Sequence, residues 1–392
     1  MSFWFFFKLG FLIIYTSICA GIAYFIYNGE KIYYEPIYVM KKVGEGKDDE
    51  KLVYIHDEFD EFARKDTPVN FLRLFFGAMT ITLFKFFASF SFAVSLSIKL
   101  FSQLKKKEEK KEKFTKEEIK ENIQSVQTHT NYFLRFSGIF YSKYRLPDEK
   151  IAPIYQKYFG PDYKIDYDGK FSCYICNHTS FNDILLAMAI YGCGFISKKE
   201  VKTNPIFGKI AQGLQSIFVD RSNPNSRKEV LERIAERQKE YLNGNPVMPI
   251  MIFPEGTTSS GRHLFKFKKG AFSALLPIKP NIILPNLNRN FHLGCGSTKV
   301  GINYARTLTE LYVQTEFIEL PIMTPNEFMF NNFSSYGKEK WEIYAEVARE
   351  IMCELGNFKK SDKELRDSFR YAYCMKNNIY VEKETFLKSY NK

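Results

Sequence analysis

Residues 3–27 read FWFFFKLGFLIIYTSICAGIAYFIY, an apolar run longer than the roughly 20 residues a helix needs to cross bilayer hydrocarbon. No other feature narrows the possible folds so far. Such a segment satisfies its backbone in lipid only as a helix, and its side chains belong in lipid or against other apolar helices. Lys8 is close enough to one end for its ammonium to reach the interface along its alkyl stem. A cleaved leader would place its basic residues ahead of an apolar stretch of about 7–15 residues. Here Lys8 stands inside the run, so residues 1–30 are expected to be an anchor helix.

After a polar connector, 31–69, comes a second apolar segment, 70–101, interrupted by Arg73, Lys85 and Lys99. This segment is expected to span obliquely, dip into one leaflet or form a bent helical pair; a lysine at mid-bilayer costs about 2.5–3.5 kcal/mol on insertion scales, which favours a helix near the interface or packed against partners. Residues 102–150 form a charged juxtamembrane helix and linker. Within it the run 104–123 starts basic beside the membrane segment and then mixes signs at helical spacing, which suits both a solvated helix and a patch facing anionic lipid. The positive-inside tendency puts that patch on the cytosolic or matrix side.

The net charge of +12 calls for an anionic partner: nucleic acid, anionic lipid or a phosphorylated substrate. The basic residues are spread out or abut apolar segments and match no nucleic-acid motif, so no nucleic acid is expected. With 45% hydrophobic residues and 39 phenylalanines, the composition favours lipid. The seven cysteines form no disulfide framework, and Cys173 and Cys176 sit in a strand-like run where positions three apart face opposite ways, so no metal is expected.

From residue 151 the texture changes. Strand-like SCYIC, GFISK, SIFVD, VMPIMIF, NIIL and LYVQTEF alternate with helical patterns, which argues for an α/β layer architecture over 151–325. The clearest helix is 226–242, with Val230, Ile234 and Tyr241 on one stripe. A helical extension fills 326–392, its main helix, about 338–355, stopping at Gly356.

Directly after the first of these strands stands NHTSFND, in which Asp183 follows His178 by five positions. Ser180 and Asp183 match a helix start, so His178 would sit just outside a helix N-terminus with Asp183 one turn inside. The helix dipole there disfavours imidazolium, and a carboxylate behind the ring would orient it as a general base. Taken alone, the same spacing also fits a capping aspartate and an ordinary turn histidine.

Downstream lie SIFVDRS, MIFPEGTTSSG, FKFKKGAF and LPIKPNIILP. In order and spacing these blocks resemble the glycerolipid (1-acylglycerol-3-phosphate type) acyltransferase family over roughly 170–290, and most closely its lysophosphatidylcholine/lysophospholipid branch. That resemblance implies a mixed β-sheet flanked by helices, with His178 and Asp183 catalytic. It also implies Arg221, Glu255, Gly256 and Thr257, with Lys268 nearby, holding the acceptor's glycerol phosphate. The implied reaction moves a fatty acyl group from acyl-CoA, a co-substrate and not a resident cofactor, to the free hydroxyl of a lysophospholipid in the endoplasmic reticulum or mitochondrial inner membrane. The alternatives are an accessory structural subunit of a membrane assembly, or an acyltransferase for lysophosphatidic acid or glycerol 3-phosphate.

Three departures from the family pattern stand out. Thr258 occupies the place of the arginine in the family's commoner E-G-T-R block, which argues against lysophosphatidic acid as the favoured acceptor. Residues 357–392 hold no D-x-D-x-D-G loop, so calcium control is not expected. The stretch 151–170 looks like an insertion, with no functional account from sequence.

Overall fold

The computed structural model describes residues 3–30, 38–42, 50–60, 62–63, 70–220, 226–285 and 300–390. A seven-stranded sheet organises them. Its strands are β1 (Ile139–Arg145), β2 (Cys173–Cys176), β3 (Gly194–Lys198), β4 (Ile217–Val219), β5 (Ile250–Ile252), β6 (Ile278–Pro285) and β7 (Val313–Glu319). Their order across the sheet is β1-β7-β6-β2-β5-β3-β4. Every neighbouring pair is parallel except β6 with β7. All six expected strand runs are in this sheet.

Helices cover both faces, as near-continuous apolar strands require. On one face Cys173 and Ile175 of β2 pack with α4 (Asp148–Phe159), α7 (Ser226–Leu242) and α9 (Lys340–Gly356) through Tyr155, Ile234 and Ile351. On the other, Tyr174 and Cys176 pack with α2 (Leu83–Lys110), α3 (Lys116–Ser137), α5 (Asn182–Tyr191) and α6 (Phe207–Gly213) through Leu96, Val126, Leu186 and Ile210. The two cysteines of C-x-x-C thus belong to opposite cores.

The stretch 151–170 acquires a structural account. Ile151, Tyr155, Tyr158 and Phe159 enter the core, and the Tyr155 and Tyr163 hydroxyls donate to Pro321 O and Ile322 O at 2.9 and 2.8 Å. The sheet also reaches into the segment read as linker, because β1 pairs in parallel with β7. The charged run is not one tail but a corner between helices. Helix α2 ends at Lys111 in the left-handed region, and Thr115 and Glu118 form a capping box that starts α3. At the far end, Gly356 is the last helical residue and Asn357, with φ of +53°, makes the turn.

Among the described residues, two helices are long and apolar enough to cross a membrane: α1 (Phe3–Glu30), over Lys8–Glu30, and α2. Helix α1 runs antiparallel to the helical segment 71–82 that leads into α2, with Tyr15 meeting Met79 and Tyr27 meeting Phe71. Residues Ala78–Thr82 form a π-helical turn, whose altered ladder leaves carbonyls to other donors. The Tyr15 hydroxyl donates to Met79 O, the Cys19 thiol to Ala78 O, and the Thr82 hydroxyl to Gly77 O. Such intramolecular partners are what a lipid environment demands of a distorted helix.

Lys85 is no free mid-bilayer charge. It is buried, and its ammonium donates to Glu310 O and Leu311 O, just past the end of α8 (Val300–Thr309), where the last carbonyls of a helix lack partners. The buried pair Glu30–Arg306 ties the end of α1 to the same helix. Lys85→Met should leave those two carbonyls unpaired and cost about 1–3 kcal/mol. Thermal unfolding in nanodiscs would register the loss, and an unchanged midpoint would show that the lysine's contacts carry no weight.

Candidate functional site

Register alone brings the two principal motifs together. Strands β2 and β5 are parallel neighbours with Ile175 opposite Ile252, so the residues three further on, His178 and Glu255, emerge side by side beyond the strands' carboxyl ends. Crevices at that edge are where open α/β sheets place their ligands.

The loop from Asn177 to Ser180 is held from every side. Asn177 exchanges two hydrogen bonds with Ile283 of β6, donating to its carbonyl at 2.9 Å and accepting from its amide at 2.7 Å. The His178 amide donates to Glu255 Oε1 at 2.7 Å, and the His178 carbonyl accepts from Ser259 N at 2.9 Å. The ring of Phe253 stacks on the imidazole at 4.2 Å between centroids.

Asp183 is 1% exposed and lies in the first turn of α5. Its carboxylate accepts from the amides of Thr179 and Ser180 and from the Thr179 hydroxyl, and His178 Nδ1 stands 2.9 Å from Oδ2. A carboxylate that only accepts requires the proton on Nδ1. The unprotonated nitrogen is then Nε2, on a side chain 17% exposed. Such a ring is oriented and stabilised as a cation, the two services a general base needs.

Glu255 does not occupy the place expected of it. It is 2% exposed, and each carboxylate oxygen accepts one backbone amide, Oε1 from His178 and Oε2 from Phe265 at 2.9 Å. Its geometry is that of a brace between the histidine loop and the strand His263–Phe265. Gly256 has φ of +68°, and a Cβ there would come within 2.8 Å of the Lys268 ammonium. Glycine therefore admits both the turn and the lysine. Thr257 is buried, Thr258 half-buried and Lys268 exposed. Arg221 lies outside the described residues. The structure thus joins His178 to Asp183, and the 255–257 turn to Lys268. Asn177 and Phe253 escaped the sequence reading, because their roles depend on which strands are neighbours.

The chain is similar to known proteins over the stretch that forms this site. The family model described as Acyltransferase matches residues 167–285, the stretch that carries both motifs. The likeness to the acyltransferase family lies in these residues. The lysophospholipid acyltransferase LPEAT1 of Arabidopsis thaliana is 30% identical over 206 residues, covering 52% of this chain and 50% of that protein. The lysophosphatidylcholine acyltransferase of Drosophila melanogaster is 29% identical over 194 residues, 49% of this chain and 34% of that one. The matches thus span half the length of these curated relatives or less. The crystal structure of the 1-acyl-sn-glycerophosphate (LPA) acyltransferase PlsC from Thermotoga maritima aligns with a TM-score of 0.43 at 18% identity, covering 69% of this chain and 93% of that one.

Burial pushes the Glu255 carboxyl from 4.5 up to about 8, against the pull of the two amides it accepts. A carboxyl whose folded pKa is raised favours the folded state below the unfolded value, and that contribution is lost as pH rises from about 4.5 through about 8. In acyltransferase-domain preparations, the thermal advantage of wild type over Glu255→Gln should therefore be largest near pH 5 and shrink towards pH 8. An advantage that grew with pH would mean that the amides hold the group ionised.

Proposed function

We propose that the protein is a membrane-bound acyltransferase that transfers a fatty acyl group from acyl-CoA to the free hydroxyl of a lysophospholipid, with His178 as general base and Asp183 orienting it. The carrying observation is the Nδ1–carboxylate pair, which leaves Nε2 as the ring's unprotonated nitrogen.

That cavity, of about 170 Å³, lies between α2, α3, α5 and α6 and is lined by Ala93, Leu96, Phe133, Met188, Phe195 and Ile210 among others. Phe195 stands 6.0 Å from Phe253, which in turn stacks on His178, so two packed rings link the cavity wall to the imidazole. An apolar cavity of this kind suits part of a fatty acyl chain. Helix α2 also carries outward-facing Phe84, Phe87, Phe90 and Ile98, and α1 carries Phe11, Ile14, Tyr24 and Phe25. Withdrawing a lipid chain from the bilayer costs about 0.8 kcal/mol per methylene. A site walled by the embedded helix removes most of that cost.

In the proposed step His178 Nε2 takes the acceptor's hydroxyl proton and the oxygen attacks the thioester carbonyl. The tetrahedral intermediate collapses, the carbon–sulfur bond breaks, and CoA leaves as thiolate to receive the proton. The thioester is already activated, so no enzyme-bound acyl intermediate is required. Lys268 beside the Gly256 turn supplies a cation for the acceptor's phosphate. Thr258, in place of an arginine, favours an acceptor with a head group over lysophosphatidic acid. The polar end of α2 and its basic residues suit the cytosolic or matrix side of an endoplasmic reticulum or mitochondrial inner membrane.

With labelled acyl-CoA and a panel of lysolipids, wild type should acylate head-group-bearing acceptors in preference to lysophosphatidic acid. His178→Ala should lose about 10²–10⁴-fold in turnover while staying folded and membrane-bound. Undiminished turnover in that variant, or the reverse acceptor order, would refute the corresponding part of the proposal.

A further inference from the structure

A second cavity, of about 510 Å³, opens between the loop 334–338 and the first turns of α9, with Lys266 and Phe267 closing a third side. Its size is that of a small-molecule site. Gly337 is pressed against the Glu342 side chain, where a Cβ would collide.

Both acids of the lining are already engaged. The Glu342 carboxylate accepts the Lys338 and Glu339 amides at 2.7 and 3.1 Å, and Glu346 pairs with Arg349 at 3.3 Å and with Lys360 at 3.5 Å. The ammoniums of Lys266 and Lys338 have no ion-pair partner within 4.0 Å among the described residues. The Trp341 indole N–H is buried without a hydrogen-bond acceptor among those residues, and Lys269 stands 5.2 Å from its ring. The lining thus combines two cations that neighbour Glu342 without forming a close ion pair, an aromatic plane and an unused donor. Lys266 and Lys338 would repel the ammonium of a zwitterionic head group, and both carboxylates of the lining are already engaged. A planar base bearing phosphates suits all four features.

The same segment joins this cavity to the site. Phe265 N–H donates to Glu255, and Lys268 N–H donates to Pro254 O at 2.9 Å. Between them, Lys266 and Lys268 are exposed while Phe265 and Phe267 are buried, the alternation of an extended chain. The two lysines therefore emerge on one side, one at the Gly256 turn and the other at the cavity.

We infer that this cavity receives the phosphorylated adenosine end of the acyl donor, with Trp341 against the base and Lys266 and Lys338 on the phosphates, so that the donor's arm runs past Lys268 to His178. The inference rests on the acyl-CoA reading above and assigns the donor's polar end to α9 and its preceding loop.

The chain holds two tryptophans, so Trp4→Phe leaves Trp341 as sole reporter. In nanodiscs, CoA and adenosine 3′,5′-bisphosphate should quench its emission saturably, and inorganic phosphate at the same concentrations should not. Equal quenching by phosphate, or none by CoA, would overturn the assignment. Lys266→Glu/Lys338→Glu should raise KM for acyl-CoA by about tenfold or more, with the lysolipid KM unchanged. Trp341→Phe, which keeps a ring but loses the donor, should move the same constant in the same direction. A rise confined to the lysolipid KM would make this a head-group site and reject the proposal, as would two unchanged constants in an active double variant. A wild type that quenches with CoA but transfers no acyl group would leave this site standing and overturn the acyltransferase reading instead.

Discussion

A single buried carboxylate organises the centre of this molecule. Asp183 gathers two backbone amides, a hydroxyl and an imidazole around itself, and so fixes the loop between β2 and α5 in one shape. A carboxylate buried this deeply is tolerable only with such a complement of donors. Once it is satisfied in this way, the histidine has one tautomer and one orientation. Glu255 repeats the device one strand over, binding the His178 amide and the Phe265 amide with its two oxygens. The two acids differ in what they hold: Asp183 holds a side chain that can move a proton, whereas Glu255 holds only backbone.

The apolar helices are not an appendage to this centre. Helix α2 faces outward along Phe84, Phe87 and Phe90, and inward along Ala93, Leu96 and Leu100, so one helix carries an exposed apolar face and also walls the apolar cavity. Lys85, problematic as a charge in lipid, is the fastening between that helix and the end of α8. Glu30 and Arg306 do the same for α1. Charges that would be costly in hydrocarbon thus join the long apolar helices to the helix that precedes β7.

What could be read from the chain alone follows the reach of each interaction. His178 and Asp183 are five residues apart and meet through one turn of helix, so their pairing was legible, as were the six strands with continuous apolar runs. β1 was not: its sequence IFYSKYR sits at the sheet's edge, mostly exposed after Ile139, and carries no buried pattern to announce it. Nor was the role of Glu255, since only the register between β2 and β5 sets it opposite His178. Helix α9 was legible as a helix, but not as a principal member of the core, because contacts such as Tyr344 with Leu276 O and Arg349 with Leu264 O join residues 68 and 85 positions apart. Residues that depend on neighbouring strands have no local signature.

The most direct test of the account is the steady-state rate of Asp183→Asn against lysophospholipid and acyl-CoA. This variant keeps the side chain's volume but removes the charge and offers the imidazole an amide in place of a carboxylate. The account predicts a kcat lowered by about two orders of magnitude or more, with both KM values little changed, because the carboxylate fixes the tautomer of the base and stabilises its cation. A kcat equal to that of wild type would contradict it and leave His178 without a catalytic role.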